Sequence, residues 1–283
     1  MQQDDFTIRT MSLSELGLAL DWAAAEGWNP GVHDAECFYA ADPQGFLIGL
    51  LGEQPVAVIS VVKYGSAFGF LGLYIVKPEF RGQGHGLRLW NAGMARLAGG
   101  CVGLDGVVAQ QANYQRSGFE LAYRNVRYQG QASGVGAPDA AVVPLASVSL
   151  KALCTYDEAV FAAPRVAFLQ AWVEQGDACA LGVLRDGGLV GYGVLRRCRV
   201  GSKIGPLFAD DADTAERLFN ALSAHATPHS PLFIDVPEKN TAALALVRRH
   251  SMVAGFETAR MYAGASPPQP IERVFGLTSF ELG

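Results

Sequence analysis

The sequence has little of what marks membrane-spanning, secreted or metal-binding proteins. No apolar run approaches the roughly twenty residues that a helix needs to cross a bilayer, and the polar opening at residues 1–5 does not resemble a signal peptide. The five cysteines are an odd number without a C-x-x-C pair, which disfavours both a disulfide framework and a zinc site. A net charge of −5 disfavours a nucleic-acid-binding surface. We therefore expect a cytoplasmic protein that uses no metal and binds neither nucleic acid nor a membrane.

The chain has the length and the apolar content for two globular domains. It comprises 283 residues, of which 50% are hydrophobic. A capping box from Ser12 to Glu15 precedes the first apolar-periodic stretch, and tight turns at 52–54 and 64–66 join three apolar runs into an antiparallel meander. The first half is thus predicted to contain strands at 6–10, 45–51, 55–63, 70–76, 102–108 and 119–128, and helices at 13–25, 34–41 and 109–116, with a further helix that ends near residue 99.

The second half repeats this order. Residues 130–138 are poor in apolar side chains and rich in turn formers, which predicts a linker. Gly255-Phe256 repeats Gly118-Phe119, and the turn at 186–187 repeats the turn at 53–54. The two pairs have nearly the same separation along the chain, which indicates an internal duplication. The second half is predicted to contain strands at 142–149, 203–208, 232–236 and 256–262, a hairpin at 178–199, and helices at 161–174, 213–226 and 241–250.

The most informative stretch runs from a strand through three alternating glycines into an amphipathic helix. The strand at 70–76 leads to Arg81-Gly82-Gln83-Gly84-His85-Gly86, and the helix follows. Glycines at alternate positions let successive N–H groups point at one anion, and a helix N-terminus adds partial positive charge. Arg81 supplies a fixed positive charge. The stretch therefore predicts a phosphate-binding loop.

Two better-known phosphate-binding loops do not fit these residues. A P-loop needs Lys and then Ser or Thr after its last glycine, and Leu87-Arg88 stand there. A dinucleotide fingerprint reads G-x-G-x-x-G after the first strand of a parallel unit, whereas G-x-G-x-G follows an antiparallel meander here. Asp105 nevertheless lies about twenty residues on, where a ribose-binding acid would stand. A nucleotide-dependent oxidoreductase therefore remains one hypothesis.

The pattern Arg81-x-x-Gly84-x-Gly86 after a strand resembles motif A of the GNAT acyltransferases, which use acetyl-CoA. Downstream, residues 113–119 are similar to the end of that family's fourth helix, where a tyrosine stands four residues before Gly-Phe. The predicted order of elements is also that of the family. The duplication resembles tandem GNAT proteins, the branch that includes holothin acyltransferase-like proteins.

The resemblance implies an α/β fold with a mixed sheet, built from two tandem GNAT-like domains of which the second is degenerate. It implies a catalytic acetyl-CoA-binding domain at 1–130, a linker at 131–141 and a degenerate domain at 142–283. After its predicted hairpin, the second half reads Ile-Gly-Pro-Leu-Phe-Ala-Asp-Asp at 204–211, without alternating glycines and with two carboxylates where a diphosphate would need positive charge. We therefore expect only the first half to bind acyl-CoA.

The resemblance also implies which residues hold acetyl-CoA. In the family the fourth and fifth strands splay, the pantetheine arm lies between them, and a main-chain N–H near Tyr74 or Val76 polarises the thioester carbonyl. Main-chain amides from Gly82 to Leu87 bind the pyrophosphate. The implied acetyl-CoA-binding residues are Tyr74, Ile75, Val76, Arg81, Gly82, Gln83, Gly84, His85, Gly86, Leu87 and Asn113.

Tyr114 is the candidate general acid, because the matching tyrosine of the family hydrogen-bonds the thiol sulfur. A phenol with a pKa near 10 suits protonation of a leaving thiolate. The alternative is that the ring simply packs under the sheet. The general base stays open, since the strand at 70–76 contains no glutamate. The candidates are Glu26, Asp34, Glu36, and Tyr74 acting through an ordered water.

Trp28 and Asp34 are the candidate substrate-binding residues, because the resemblance puts their region on the acceptor side. An aromatic wall with a carboxylate can receive an amine through cation–π and charge contacts, while the alternative for Trp28 is that it caps the edge of the core. We also expect the acceptor pocket to include surface from the second half, since pockets favour domain interfaces.

The sequence thus predicts an acetyl-CoA-dependent N-acyltransferase that acetylates a primary amine of a small molecule by direct attack in a ternary complex. A non-catalytic acyl-CoA-binding or sensor protein is the alternative, and the oligomeric state is not predicted.

Overall fold

A computed structural model of the chain describes residues 5–134, 139–161 and 163–283. Over these residues, eight α-helices accompany one mixed sheet of thirteen strands. The helices are α1 (Leu13–Ala25), α2 (Asp34–Ala41), α3 (His85–Arg96), α4 (Gln111–Arg116), α5 (Leu150–Phe161), α6 (Val166–Glu174), α7 (Ala212–His225) and α8 (Thr241–Arg249). The strands are β1 (Phe6–Thr10), β2 (Phe46–Leu51), β3 (Gln54–Tyr64), β4 (Phe68–Val76), β5 (Cys101–Val107), β6 (Glu120–Gln131), β7 (Val142–Pro144), β8 (Ala178–Arg185), β9 (Gly188–Arg197), β10 (Ser202–Ala209), β11 (Pro231–Pro237), β12 (Val253–Ala263) and β13 (Val274–Gly276).

Local sequence signals determine much of the first half, which we define as β1 to β6. The Ser12 hydroxyl accepts a hydrogen bond from the Glu15 N–H and the Glu15 carboxylate accepts one from the Ser12 N–H, which confirms the predicted capping box of α1. Strands β2, β3 and β4 form the predicted antiparallel meander. These elements agree with the mixed α/β fold class predicted from the sequence.

The second half comprises β7 to β13. The two halves exchange a strand. Strand β12 lies between β5 and β6, and β6 in turn pairs with β11. Two matching buried ion pairs join the exchanged strands: Arg260 on β12 contacts Asp105 on β5 at 2.6 Å, and Arg127 on β6 contacts Asp235 on β11 at 2.7 Å. Each half therefore completes the sheet of the other.

The last ten residues, which we call the tail (residues 274–283), are buried and cross from the second half to the first. Strand β13 pairs with β10 beyond the point where β10 and β11 stop pairing, and the Leu277 N–H donates to the Asp235 carbonyl at 2.8 Å. Further along, the Ser60 hydroxyl donates to the carbonyl of Glu281, and the Tyr64 hydroxyl donates to that of Leu282. The tail is therefore part of the core and not an appendage.

Three elements near the junction differ from the prediction. The strand predicted at 142–149 ends at Pro144, because proline has no N–H for the ladder, and a 3₁₀ turn follows. The helix predicted at 161–174 begins only at Val166, after Pro164, and forms α6, whereas α5 was not predicted. Strand β6 continues to Gln131, and residues 135–138 of the predicted linker lie outside the described residues. The exact domain boundaries stay a prediction.

None of the described helices combines the length and the apolar composition that a bilayer-spanning helix requires. The same residues contain no cluster of three His, Cys, Asp or Glu side chains suited to a metal ion.

Candidate active site

A cavity of about 830 Å³ opens between β4 and β5. The two strands pair in parallel only from Phe68 with Cys101 to Leu71 with Leu104, and they diverge beyond that point. This is the splay of the fourth and fifth strands that the family resemblance implied. The volume lies in the range of roughly 300–1,000 Å³ that is usual for small-molecule sites.

The free edge of β4 presents main-chain groups to this cavity. Leu73 has a φ of +45°, and at this point two residues of β4 stand opposite one of β3, which makes a β-bulge. After the bulge, the Lys77 N–H donates to the Val56 carbonyl on β3. Because successive amides along a strand point to opposite sides, the N–H groups of Tyr74 and Val76 point away from β3 and towards the cavity.

The glycine loop before α3 forms one end of the cavity. Gly82 and Gly84 have φ angles of +75° and +86°, in a region that costs other residues free energy. The Arg88 N–H closes the first helical bond to the Gly84 carbonyl, so the amides from Gly84 to Leu87 are the four that α3 leaves without a helical partner. Unsatisfied amides at a helix N-terminus suit a diphosphate.

Gly86 allows the loop to approach β4 closely. A Cβ at this position would lie 2.7 Å from the Tyr74 hydroxyl oxygen and 2.9 Å from Cγ2 of Val76. Any side chain would therefore displace the side chains of Tyr74 and Val76, which line the cavity. The predicted cradle depends on glycine here for space, as well as on backbone conformation at Gly82 and Gly84.

Arg81 lines the cavity but is held within the protein. Its Nε donates to the Val76 carbonyl at 2.8 Å, and its Nη2 contacts the Glu26 carboxylate at 2.6 Å. The guanidinium is half-exposed, so its charge still faces the mouth of the cavity. Glu26 is accordingly an ion-pair partner of Arg81, which makes it a poor candidate for the general base.

Two residues of the predicted cradle turn their side chains away from the cavity. The Gln83 amide donates to the Glu79 carbonyl, and the buried ring of His85 stacks on Phe6 with centroids 4.8 Å apart. Neither residue lines the cavity, whereas the other predicted acetyl-CoA-binding residues do: Tyr74, Ile75, Val76, Arg81, Gly82, Gly84, Gly86, Leu87 and Asn113. The contribution of His85 can come from its main-chain amide alone.

Tyr114 stands on the β5 side of the cavity. Its ring covers Gly106, where a Cβ would lie 2.2 Å from Cε2 of Tyr114, and it stacks on Trp90 at 5.6 Å. Burial, and to a lesser degree the neighbouring Tyr74, raise the pKa of Tyr114 to about 12, so the phenol is protonated at neutral pH. The described residues provide no hydrogen-bond partner for its hydroxyl. The ring thus packs under the sheet while the hydroxyl stays available to a ligand.

Trp28 and Asn113 also line the cavity. The carbonyl of Trp28 accepts a hydrogen bond from Arg127 of β6 at 2.7 Å, which fixes the position of this loop. The Asn113 side chain is hydrogen-bonded to Gln110 and Arg116 on its own helical segment. Both side chains are placed where they can contact a ligand.

Asp34 does not line the cavity, and the substrate role predicted for it is unsupported. Its carboxylate is fully buried, accepts a hydrogen bond from the Gly31 N–H at 2.7 Å and contacts Nε of Arg196 at 2.9 Å. Arg196 comes from β9, far away in the sequence. Asp34 therefore joins the two halves as a structural ion pair.

Asp105 lines the cavity, yet its carboxylate is already bound. Arg260 donates to both of its oxygens, at 2.8 and 2.6 Å, and Asn125 donates at 2.7 Å. A ribose-binding acid needs free carboxylate oxygens. The described sheet is also mostly antiparallel, unlike a dinucleotide-binding fold. The oxidoreductase hypothesis therefore loses its structural basis.

The second half contributes part of the cavity wall, as expected from the sequence. Its residues at the wall are Phe256 and Thr258 from β12 and Phe280 and Glu281 from the tail. The sequence analysis assigned none of the four to the site. The strand exchange and the path of the tail bring them there, and no local motif marks either feature.

Comparison with protein families finds related domains in both halves. A model described as acetyltransferase (GNAT) family matches residues 15–119, and a model described as acetyltransferase (GNAT) domain matches residues 153–276. The two matches leave the exchanged strand β6 outside both ranges.

The chain is similar along its whole length to a known enzyme and to solved structures. It is 30% identical over 283 residues to holothin acyltransferase from Pseudoalteromonas sp. (strain SANK 73390), which covers 100% of this chain and 96% of the relative. A proposed acetyltransferase from Pyrococcus horikoshii superposes with a TM-score of 0.85 at 21% identity, over 100% of this chain and 98% of the other. A tandem GNAT protein from the clavulanic acid biosynthesis pathway superposes with a TM-score of 0.64 at 13% identity, over 92% and 99%. At these identities the solved structures show the fold alone.

Proposed function

Because the chain belongs to the GNAT superfamily and is an acyltransferase with two GNAT domains in tandem, we propose that it transfers an acetyl group from acetyl-CoA to a primary amine of a small molecule. The observation that carries the proposal is the open splay between β4 and β5, with the free amides of α3 at one end of it. The cavity-lining residues include no cysteine among those described, which favours direct attack by the amine in a ternary complex.

Different main-chain groups bind the parts of acetyl-CoA and polarise its thioester. The amides from Gly84 to Leu87 hold the diphosphate, and the edge of β4 holds the pantetheine arm. The N–H of Tyr74 or Val76 polarises the thioester carbonyl, a contribution of about 3 kcal/mol to the barrier in comparable sites. These donors are fixed before the substrate arrives, so they need no reorganisation during the reaction.

Tyr114 gives its proton to the leaving thiolate. Burial raises the pKa of Tyr114 to about 12, so the phenol is protonated at neutral pH and can donate to the sulfur as negative charge develops there. The hydroxyl lies in the same aromatic group as Tyr74 and Trp90, next to the pantetheine site.

The acceptor side is apolar and aromatic. Trp28 of the first half and Phe256 and Phe280 of the second half line it. Aromatic faces attract an ammonium group, so this wall suits an amine with an apolar or cationic body.

The test replaces Tyr114 by Phe and follows thiol release from acetyl-CoA with a panel of butylamine, phenethylamine, putrescine and lysine. We expect kcat to fall by about 10²–10⁴-fold, the usual size of a general-acid contribution. The dissociation constant of acetyl-CoA, measured by calorimetry, should stay within about threefold, because the hydroxyl removed is not needed for binding. Tyr128→Phe on β6, outside the cavity, is the matched control and should change neither quantity.

Two outcomes contradict the proposal. Tight binding of acetyl-CoA with no amine-dependent thiol release from the wild-type protein would favour an acyl-CoA-binding or sensor protein. Thermal stabilisation by NAD(P) but not by CoA would contradict acyl-CoA binding altogether.

A further inference from the structure

Among the described acids, Glu281 is unusual because it is buried without a partner. Asp34, Asp105, Asp157 and Asp235 each contact an arginine within 3 Å. The Glu281 carboxylate has no hydrogen bond and no ion pair with any described residue, although only 4% of the residue is exposed. Burying an unpaired carboxylate costs free energy, so such a group points to a ligand.

Glu281 lines the cavity next to the bulge of β4. Its carbonyl accepts from the Ser60 hydroxyl, and a Cβ added to Gly72 would lie 2.2 Å from that carbonyl oxygen. Gly72 directly precedes the bulge at Leu73, after which the Tyr74 and Val76 amides face the cavity. The tail thus runs over the stretch of β4 where the thioester carbonyl is proposed to lie.

The tail is firmly held on both sides of Glu281. Upstream, β13 pairs with β10, and Phe280 stacks under the Arg127 guanidinium at 4.9 Å. Downstream, the Leu282 carbonyl accepts from the Tyr64 hydroxyl at 2.9 Å. A side chain on such a segment is positioned as reliably as one on a strand.

We infer that the Glu281 carboxylate, which the second half delivers into the cavity of the first, is the general base that deprotonates the acceptor amine. This inference rests on the proposed function. It supplies the residue that the sequence left open, because β4 has no glutamate.

The charged groups around Glu281 come from four elements. Arg127 on β6, Arg196 on β9, Lys203 on β10 and Asp34 on α2 all face it, and two of these groups are the paired Arg196 and Asp34. Burial is the largest influence and raises the pKa of Glu281 above its usual value, while Lys203 and the arginines oppose the shift. A carboxylate with a raised pKa is a stronger base than an exposed one.

The step balances in atoms and charge. Glu281 takes one proton from the ammonium group, and the neutral nitrogen attacks the thioester carbonyl carbon. The C–N bond forms, the C–S bond breaks, and the thiolate receives a proton from Tyr114. The nitrogen then loses its second proton, which restores Tyr114, and Glu281 releases the first proton to solvent.

The experiment compares Glu281→Gln with the wild type in the full-length protein, using the panel amine that turns over fastest. We expect kcat/KM for the amine to fall about 100-fold at pH 7, and acetyl-CoA affinity by calorimetry to stay within threefold. The wild-type profile should lose activity as the pH falls through the pKa of Glu281, and the variant should lack this acidic limb. Glu272→Gln, the same change at an exposed position shortly before the tail, is the control and should match the wild type.

The other outcomes distinguish failure of this inference from failure of the proposed function. If no panel amine releases thiol from the wild type, the proposed function fails and this inference fails with it. If the wild type is active and Glu281→Gln equals it, or loses activity with the acidic limb unchanged, only the inference fails. If Glu281→Gln does not fold, Glu281→Asp decides: a lower kcat with the acidic limb retained supports the inference, and wild-type kcat overturns it.

Discussion

In each half of the molecule two neighbouring parallel strands diverge, and the gap between them is open in the first half and filled in the second. In the first half, β4 and β5 stop pairing after Leu71, and a cavity remains between them. In the second half, β10 and β11 stop pairing after Ile204, and β13 occupies the gap by pairing with β10 at Leu207 and Phe208. The protein's own chain thus lies in the second half where the first half leaves room for a ligand.

The helices beside the two gaps differ in the same sense. The N-cap of α3 is Gly84, which has no side chain to satisfy the helical amides. The N-cap of α7 is Asp211, whose carboxylate accepts from the Thr214 N–H at 2.8 Å and contacts Arg185. An anion at a helix N-terminus is already present in the second half, so a diphosphate would meet repulsion there.

The second half serves as a structural support for the first. It provides β12 to the first-half sheet, and the segment that fills its own gap continues as the tail that carries Glu281 to the first-half cavity. The same ten residues therefore fill the gap of the second half and line the cavity of the first. A single GNAT domain would lack both parts.

The largest expected effect concerns the exchanged strands. Arg260→Met leaves Asp105 buried without its main partner, and breaking a buried pair in this way costs about 3–5 kcal/mol. We expect the free energy of unfolding in urea to fall by that amount. Both halves should still unfold in a single transition, because neither sheet is complete alone.

Two companion variants sharpen this result. Replacing both partners, Asp105→Leu with Arg260→Met, should recover most of the loss, since an apolar pair of similar volume often substitutes for a buried ion pair. Glu257→Gln at an exposed position of β12 should change stability by less than about 0.5 kcal/mol. Two separate unfolding transitions would show that the halves are independent and that the exchange has little energetic weight.

The sequence predicted the first half well because its signals are local. The capping box of α1, the meander turns and the alternating glycines each specify structure within a few residues. Even the splay of β4 and β5 followed from a motif resemblance. Such features depend on backbone geometry and hydrogen bonds that neighbouring residues decide.

The strand exchange was not predictable in the same way. Strands β6 and β12 have similar apolar patterns, and either could pair with β5 or with β11 by periodicity alone. A signal was nevertheless present in the duplication: Asp105 and Asp235 occupy the fifth position of β5 and β11, and each meets an arginine from the other half. These two aspartates indicate the strand exchange only after their arginine partners in the other half have been identified.

The burial of Asp34 and the position of Glu281 in the cavity are not evident from the sequence for a related reason. A carboxylate in a polar stretch is normally solvated, and only Arg196, from β9, explains why Asp34 is buried. Glu281 stands near the end of a short, irregular segment, where periodicity gives no information. Long-range contacts decide both positions, and a single sequence does not display them.

The second-largest expected effect concerns the open gap between β4 and β5. Gly86→Val places a side chain against the Tyr74 hydroxyl and Val76, which lie 2.7 and 2.9 Å from a Cβ at this position. We expect acetyl-CoA affinity to fall at least about 100-fold, or about 2.7 kcal/mol, as measured by calorimetry. Asp213→Ala, at the matching helical position of α7, should leave affinity unchanged. Wild-type affinity in Gly86→Val would mean that the diphosphate binds elsewhere.

The smallest effect separates two features of the second half that oppose acyl-CoA binding, namely the Asp211 N-cap of α7 and strand β13. Asp211→Ala removes the N-cap of α7, which typically costs about 1 kcal/mol of stability. The cap lowers the pKa of Asp211, so its stabilising contribution is present above the unfolded-state pKa and is lost as the pH falls through the folded value. The stability difference between wild type and variant should therefore shrink in acid.

Calorimetry should still find one acetyl-CoA per chain, because β13 continues to fill the gap. A second bound acetyl-CoA in this variant would mean that charge, and not the inserted strand, keeps the second half from binding acyl-CoA.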